Sequence, residues 1–358
     1  MRRSDTKRLN GESDRSAQTV KNMKILVTGS AGFIGYHLCH LLLKEGHEVF
    51  GVDAYTPYYD VTLKKNRHAR LIGLNGFDGA KLQLEDQEAL SRVFNSFKPN
   101  VVIHLAAQAG VRYSIENPEA YVSSNLVGTS NLLEQVKSRE VQHFMFASTS
   151  SVYGGLDKMP FCELDPTDNP MSFYAATKKA GEVLSHSYAH LFNIPTTCFR
   201  FFTVYGPWGR PDMALFKFTQ AILDSKPIDV FNHGEMYRDF TYVEDLVHAI
   251  LRLMRLPPVL GGEKIPGDSI SNNAPWRVVN IGNSKSESLL HFIEALEREL
   301  GVKAKKNFLP MQAGDVPKTW ADCSLLTELT GSRPSTPIKT GIRNFVRWYR
   351  QYYENPDR

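Results

Sequence analysis

Short apolar runs alternate with amphipathic stretches along the chain as far as residue 202. The runs rich in β-branched and aromatic residues indicate strands at KILVT (24–28), EVFGVD (48–53), KLQL (81–84), VVIHLAA (101–107), HFMFAS (143–148) and TTCFRFF (196–202). Between these runs, apolar positions recur at helical spacing near 33–45, 86–97, 119–138 and 174–192. Apolar strands that alternate with helices predict a parallel sheet covered by helices on both faces.

The pattern changes after residue 203. Loops rich in Gly and Pro cover 205–211 and 257–275, and a last amphipathic helix is predicted near 341–353. We therefore expect a doubly wound α/β domain over 23–203. A smaller C-terminal lobe should occupy most of 204–358, partly interleaved with the sheet domain.

Composition and charge are typical of a globular protein. The chain has 358 residues, of which 42% are hydrophobic and 22% charged. Three of its four net positive charges lie in residues 1–22, which we expect to be a disordered polar tail, or residues that precede the native start at Met23. The remainder is nearly neutral, so the sequence gives no footprint of nucleic-acid binding.

Several classes of protein and site are disfavoured by what the sequence lacks. No run of about 18 apolar residues is present, so no membrane span is predicted. The four cysteines are scattered without a C-x-x-C pair, which predicts reduced thiols and a cytoplasmic location: Cys39, Cys162, Cys198 and Cys323. No cluster of His or Cys has zinc spacing, and we expect no metal.

The first strand leads into a glycine turn and then a helix. Gly29, Gly32 and Gly35 occur in KILVTGSAGFIGYHL, where a tight turn and a helix N-terminus would receive a pyrophosphate. Asp53 closes the next strand, 18 residues after Gly35. Its alternative role is that of a turn residue, but in this setting it favours the adenosine ribose of NAD over NADP. The pattern thus predicts a Rossmann-type dinucleotide site.

A tyrosine and a lysine share one face of the predicted helix near 174–192. Tyr174 and Lys178 are four residues apart, and none of the other tyrosines among the 15 has a lysine at this spacing. The pattern also fits an ordinary amphipathic helix. However, a fixed cation near a phenol lowers its pKa, and Thr149 should lie at the carboxyl end of the fifth strand. Near a nicotinamide, a phenol, an ammonium and a hydroxyl form a set for oxidising alcohols.

Eight segments carry a resemblance to a known family: TGSAGFIG, DAYTPYYDVTLKKNR, HLAAQAGVRYS, STSSVYG, YAATKKAGE, FFTVYGPWGRPDMA, YRDFTYVEDL and GDVPKTWAD. Over residues 23–353 the chain resembles the extended short-chain dehydrogenase/reductase family. Within it, the chain is most similar to NAD-dependent nucleotide-sugar 4-epimerases, in particular those of UDP-glucuronate. The resemblance implies that Tyr174 takes the sugar O4 proton while C4 loses hydride to NAD. The 4-keto sugar then turns and receives the hydride on its other face. It also implies a homodimer built on the 119–138 and 174–192 helices.

The resemblance implies a set of residues for each ligand. NAD is expected to contact Gly29, Gly32, Phe33, Ile34, Gly35, Asp53, Leu84, Leu105, Ala106, Ala107, Gln108, Asn125, Tyr174, Lys178 and Phe202. The UDP-sugar is expected in the C-terminal substrate-binding lobe and near the catalytic hydroxyls: Arg112, Thr149, Ser150, Ser151, Thr203, Arg210, Phe231, Arg238, Gln312 and Asp315. Within that set, arginines suit diphosphate and carboxylate oxygens, and hydroxyls would restrain the carboxylate.

Three alternatives remain open at the level of sequence. UDP-galactose or N-acetylhexosamine 4-epimerases usually have asparagine where this chain has Thr203. UDP-glucuronate decarboxylases carry an acidic residue in the segment that holds Ser151 here. A protein that only binds NAD would be expected to have a broken Thr149, Tyr174 and Lys178 set, and all three are present.

Overall fold

The computed structural model describes residues 22–262, 264–312 and 314–354. The expected disordered tail lies, apart from Asn22, outside the described residues. Strands occupy Lys24–Thr28 (β1), Glu48–Asp53 (β2), Phe77–Lys81 (β3), Val101–His104 (β4), His143–Thr149 (β5), Thr196–Phe201 (β6), Thr203–Tyr205 (β7), Ile228–Phe231 (β8), Tyr237–Arg238 (β9), Phe240–Tyr242 (β10), Trp276–Ile281 (β11), Glu287–Ser288 (β12), Lys306–Leu309 (β13) and Lys318–Thr319 (β14). Helices occupy Phe33–Lys44 (α1), Val61–Ile72 (α2), Gln87–Phe97 (α3), Tyr113–Glu116 (α4), Pro118–Tyr121 (α5), Gly128–Lys137 (α6), Phe173–Phe192 (α7), Ala214–Leu223 (α8), Val243–Met254 (α9), Leu289–Leu300 (α10), Ser324–Thr330 (α11) and Ile338–Tyr353 (α12).

The main sheet has seven parallel strands in the order β11, β6, β5, β4, β1, β2, β3. The strand order reverses between β1 and β4, the point at which doubly wound sheets bind ligands. β11 comes from beyond residue 203 and pairs with β6. The predicted α/β class and Rossmann-type doubly wound sheet are therefore confirmed.

Two hydrophobic cores lie on opposite faces of this sheet. Because successive strand residues point to opposite faces, Ile25 and Val27 join one core, while Leu26 between them joins the other. The core with Ile25 packs against α1 and α9, and the core with Leu26 packs against α3 and α6. All three side chains are fully buried, which explains why these strands appear in the sequence as uninterrupted apolar runs.

Two elements differ from the sequence prediction. The third strand is Phe77–Lys81, whereas the KLQL prediction placed it at 81–84. β3 is an edge strand, half-exposed and interrupted by Gly79, so it lacks an apolar run. α2 was not predicted as a helix, because its buried face includes the charged residues Lys64 and Arg67 and the apolar periodicity is broken.

Beyond β6 the chain forms small sheets and helices beside the carboxyl ends of the large sheet, and their separation as a C-terminal lobe remains a prediction. β7 pairs with β10, β8 with β13, and β9 with β12 and β14. The predicted last helix is α12, which begins a few residues earlier than expected. In the described ranges, no helix is both long and apolar enough to cross a bilayer.

Candidate active site

The turn after β1 brings two backbone segments into direct contact. Gly29 has φ +75°, and a Cβ there would lie 2.8 Å from the Ala106 nitrogen. A Cβ on Gly35 would lie 2.0 Å from the Gly29 carbonyl oxygen, so α1 packs closely against the turn. Only glycine fits these approaches, and they leave the N-terminus of α1 open to a ligand.

Asp53 ends β2 beside this turn. Its carboxylate accepts hydrogen bonds from the backbone nitrogens of Ala31 (3.0 Å) and Tyr55 (2.8 Å). The side chain thereby fixes the glycine turn and still lines the cleft described next. The position of the acid beside the glycine turn matches what the ribose of a dinucleotide requires.

A cleft of about 1210 Å³, including its open side, runs along the carboxyl ends of the central strands. Thirteen of the residues predicted to contact NAD line it: Gly29, Gly32, Phe33, Ile34, Gly35, Asp53, Leu84, Leu105, Ala106, Ala107, Gln108, Tyr174 and Lys178. The glycine cradle, the acid at its edge and the mainly apolar walls fit a dinucleotide. Phe202 does not line the cleft, whereas its neighbour Phe201 does, because side chains alternate along the strand.

Asn125 lies behind the cleft and supports one of its walls. Its amide accepts from the Gln108 nitrogen (2.8 Å) and donates to the Gln108 carbonyl (3.1 Å) and to the Thr177 hydroxyl (3.0 Å). Asn125 belongs to a π-helical turn over Val122–Val127, a geometry frequent at functional sites. It therefore ties the cleft wall to α7, and its predicted direct contact with NAD remains a prediction.

The capping of α7 places Tyr174 in the cleft. Ser172 caps the helix by accepting from the Ala175 nitrogen (3.1 Å), so Tyr174 falls in the first turn and Lys178 one turn later on the same face. Lys178 is buried, with its Nζ 4.4 Å from the Phe146 ring centroid. Burial lowers the pKa of Lys178 to about 8.

The electrostatics of Tyr174 differ from the sequence prediction. Burial raises the pKa of its phenol, while the Arg210 guanidinium and the nearby Thr149 hydroxyl lower it. Lys178 was expected to be the group that lowers the pKa of Tyr174, and this expectation is wrong. Arg210, which is far from Tyr174 in sequence, is the cation that lowers the pKa of Tyr174.

Arg210 is held at the edge of the cleft by Asp212. The guanidinium donates to the two carboxylate oxygens at 3.0 and 2.5 Å, and Tyr58 donates to the same carboxylate at 3.1 Å. Arg210 and Phe33 also line a smaller apolar cavity of about 380 Å³, in whose wall Thr203 lies. The structure thus brings Thr203 and Arg210 together beside the nucleotide cleft.

A second group of predicted substrate residues meets elsewhere in the lobe. Arg112 stacks on the Phe231 ring at 5.2 Å and pairs with Asp315 at 3.6 Å. Asp315 also interacts with Arg238, whose pKa is lowered by burial and raised by this carboxylate. The backbone nitrogen of Asp315 donates to the Gln312 carbonyl, 3.3 Å away. Five residues scattered through the sequence therefore converge on one place.

Two of the predicted substrate residues lie outside both cavities, and their contact with the sugar remains a prediction. Ser150 and Ser151 lie on the 3₁₀ turn Ser150–Tyr153 and line neither cavity, although Ser151 accepts a hydrogen bond from Thr149 at 3.2 Å. Ser148, one residue before Thr149, lines the cleft instead. Asp239, the neighbour of Arg238 in sequence, is fully buried and accepts hydrogen bonds from the backbone nitrogens of Asn283, Ser284 and Ala321, so it does not pair with Arg238.

Three residues on α2 and on the segment that precedes it were not predicted from the sequence as part of the site. Tyr58, Tyr59 and Lys64 all line the cleft. The ammonium of Lys64 donates to the Thr56 carbonyl at 2.9 Å and lies 4.7 Å from the Tyr59 ring centroid. The segment DAYTPYYDVTLKKNR had been noted as typical of the family, but its contacts depend on tertiary structure and no spacing rule reveals them.

Such a cleft is characteristic of enzymes that bind a dinucleotide and exchange a hydride with an alcohol. The chain belongs to the NAD dependent epimerase/dehydratase family, whose profile matches residues 25–264. This membership confirms the resemblance seen in the sequence and the predicted NAD cofactor.

Individual relatives extend over nearly the whole chain. A Rhizobium meliloti (strain 1021) protein named probable UDP-glucuronate 4-epimerase is 54% identical over 334 residues, 92% of this chain and 98% of that protein. UDP-glucuronate 4-epimerase 4 of Arabidopsis thaliana is 45% identical, over 97% of this chain and 80% of that protein. The crystal structure of the UDP-glucuronic acid 4-epimerase from Bacillus cereus with UDP-glucuronic acid and NAD matches at a TM-score of 0.83 and 35% identity, over 92% of this chain and 100% of that chain.

Proposed function

We propose that this protein is an NAD-dependent isomerase that interconverts UDP-glucuronate and UDP-galacturonate by inverting C4 of the hexuronic acid. The observation that carries the proposal is the position of Tyr174 and Lys178 inside the cleft built by the glycine turn. The similarity to UDP-glucuronate 4-epimerases supports the choice of substrate.

The residues of α7 and β5 would perform the proton transfers. NAD, when bound, supplies the hydride acceptor and donor at C4. Tyr174 removes the O4 proton and returns it after the sugar has turned. Thr149 orients the same hydroxyl, and Lys178, a buried residue of the cleft wall, holds the nicotinamide ribose. The cation of Arg210 favours the phenolate form of Tyr174.

The carboxylate of the sugar needs restraint as well as recognition. Oxidation at C4 produces a β-keto acid, which readily loses CO₂. We assign Thr203 and Arg210 to the carboxylate, because they share the small cavity that adjoins the cleft. Arg210 forms a bidentate ion pair with Asp212, and this pair fixes the direction of the Arg210 guanidinium. Ser151 would act through its hydrogen bond with Thr149.

The nucleotide end of the substrate is assigned to the cluster around Arg112. Asp315 would accept from the uridine ribose, Arg112 and Arg238 would bind the diphosphate, and the backbone at Phe231 would contact the uracil. The Arg112–Asp315 pair is partly exposed, with side-chain exposures of 52% and 30%. Such pairs contribute at most about 1 kcal/mol, so a diphosphate can displace this one at low cost.

The direct test is proton NMR of the anomeric region after purified protein is mixed with UDP-glucuronate and no added NAD. We expect UDP-galacturonate to form, which requires both the substrate and a retained cofactor. UDP-xylose would indicate decarboxylation and would contradict the assignment of Thr203 and Arg210. Turnover of UDP-glucose or UDP-N-acetylglucosamine alone would overturn the choice of sugar and leave the role of Tyr174 standing.

Thr203→Asn is expected to weaken selection for the carboxylate. The larger amide would fill the space beside Arg210, so the ratio of kcat/KM for UDP-glucuronate to that for UDP-glucose should fall by roughly tenfold, about the loss of one charged hydrogen bond. Thr203→Ser keeps the hydroxyl and is the matched control, expected to retain the ratio. An unchanged ratio in Thr203→Asn would remove Thr203 from the carboxylate site.

The expected homodimer and cytoplasmic location belong to the same proposal. Apolar side chains project from the two helical segments assigned to the dimer face. Val122 and Val127 are 40% and 45% exposed, and on α7 Val183 and Leu191 are 57% and 65% exposed. Burial of this surface against a second copy would remove it from water.

A further inference from the structure

Arg67 is a fully buried arginine that no part of the proposed mechanism uses. One terminal nitrogen of its guanidinium donates to the Ala31 carbonyl (3.1 Å) and the Tyr59 hydroxyl (2.9 Å). The other donates to the carbonyls of Trp208 (2.5 Å) and Gly209 (3.2 Å). The planar fork thus joins three separate segments of the chain at one point.

The segments joined by Arg67 belong to the two halves of the site. Ala31 lies in the glycine turn, and Trp208 and Gly209 immediately precede Arg210 in sequence. The neighbouring helical residue Arg70 reinforces the second connection, since its guanidinium lies 4.9 Å from the Trp208 ring centroid. The dinucleotide turn and the loop that carries Arg210 are therefore held by one guanidinium.

The partners of the Arg67 guanidinium are backbone carbonyls and a hydroxyl. Across residues 22–262, 264–312 and 314–354, no carboxylate forms an ion pair with it, and its Nε has no hydrogen-bond partner. Among the described residues, the arginines Arg200 and Arg277 are also buried, and each is paired with a carboxylate. A buried cation that has only carbonyl and hydroxyl partners is costly, and an anion bound nearby would relieve that cost.

We propose that Arg67 is a positioning residue that couples occupancy of the glycine turn by the dinucleotide diphosphate to the placement of Arg210. This inference rests on the proposed function, which assigns Arg210 to the sugar. Arg67 does not line the cleft, so a diphosphate at the turn would act on it across the Ala31 peptide, whose carbonyl oxygen Arg67 already binds. The same guanidinium, fixed by the charge of the diphosphate, holds the Trp208 and Gly209 carbonyls and so sets the direction from which Arg210 enters the site.

The test compares Arg67→Met and Arg67→Lys with wild type and with Arg277→Met. Arg277 is a matched control, because it is 7% exposed and pairs with Asp268 at 2.9 and 3.0 Å away from both cavities. Four quantities are measured: NAD per chain after gel filtration, the rise in Tm when NAD is added to nucleotide-stripped protein, and both KM and kcat for UDP-glucuronate.

For Arg67→Met we expect NAD affinity to fall by roughly tenfold or more, as for the loss of one hydrogen-bonded charge, with a smaller NAD-induced rise in Tm and a raised KM. Arg67→Lys keeps the positive charge but loses the planar guanidinium with its two terminal donor nitrogens. It should therefore retain most of the NAD-induced rise in Tm, while KM for UDP-glucuronate stays high. A merely structural role would lower the Tm of stripped and loaded protein equally, as we expect for Arg277→Met, and would overturn the proposal.

The outcomes separate this inference from the proposed function. Wild-type protein that does not convert UDP-glucuronate contradicts the function, whereas the NAD-induced rise in Tm still tests Arg67. If Arg67→Met does not fold, Arg67→Lys decides: a wild-type KM together with a wild-type rise in Tm overturns the coupling, and a raised KM with a retained rise supports it.

Discussion

Tyr174→Phe is expected to reduce kcat for UDP-glucuronate by roughly 10³–10⁴-fold, at the upper end of what a general acid–base group contributes. The substitution removes one oxygen and keeps the ring, whose centroid lies 6.1 Å from that of Tyr121. The cleft wall should therefore persist, and NAD should remain bound because the glycine turn and Asp53 are unchanged. KM should change little if Tyr174 acts mainly in the transition state.

The measurement is the initial rate of UDP-galacturonate formation, with NAD content determined on the same sample. Tyr188→Phe is the matched control, because Tyr188 lies on the same helix and its hydroxyl donates to the Glu134 carboxylate at the surface. That variant should retain the wild-type rate. Turnover above about a tenth of wild type in Tyr174→Phe with bound NAD would contradict the assigned proton transfer, because a lost acid–base group costs at least about 10²-fold.

The buried central strands of the large sheet were predicted well from the sequence, whereas the strand at its edge was predicted poorly. β1, β2 and β6 were placed within a residue or so, because strands buried on both faces leave uninterrupted apolar runs. β3 at the sheet edge and α2 had no such signal. In α2, charged side chains occupy buried positions for reasons that only the tertiary contacts of Lys64 and Arg67 explain.

The candidate site divides in the same way. The glycine turn and the spacing of Tyr174 and Lys178 are local patterns, so the nucleotide half could be predicted from adjacent residues. The convergence of Arg112, Phe231 and Asp315 joins segments far apart in the chain, and only the family resemblance pointed to it. The four-residue spacing of Tyr174 and Lys178 also led to a wrong prediction for the pKa of Tyr174, because burial has the largest effect on that pKa and cannot be read from spacing.

Arg200→Met is expected to lower the free energy of unfolding by about 3–5 kcal/mol at neutral pH, the cost of leaving a buried charge unpaired. Arg200 donates to both carboxylate oxygens of Glu182 at 2.9 Å, and the Ser148 hydroxyl donates to the same carboxylate at 2.6 Å. The Glu182 side chain is 1% exposed. Arg200 and Ser148 are opposite each other on β6 and β5, so the pair fixes α7 against the strand ends that form the cleft.

The pH dependence identifies the cause of this loss. Burial alone would raise the pKa of Glu182, but Arg200, Ser148 and Lys179 hold it below its usual range. In wild type the pair therefore contributes stability above the unfolded-state pKa of about 4.3, and this contribution is lost as pH falls through the lower folded-state pKa. In Arg200→Met we expect burial to raise the pKa of Glu182, because the cation that opposes burial most strongly is gone. The folded variant then binds a proton more readily than the unfolded chain, so its deficit relative to wild type should shrink as pH falls from about 7 to about 5.

Urea denaturation of four proteins completes the argument: wild type, Arg200→Met, Glu182→Met and the double variant. If the cost is that of an unpaired charge, the double variant should recover much of the loss, because it removes both buried ions. The control is Arg92→Met, whose partner Glu88 is 91% exposed, and it should lose less than about 1 kcal/mol. Additive losses in the double variant, or a deficit that does not depend on pH, would show that Arg200 stabilises the protein through packing on the Tyr153 ring, 4.7 Å away, and not through its charge.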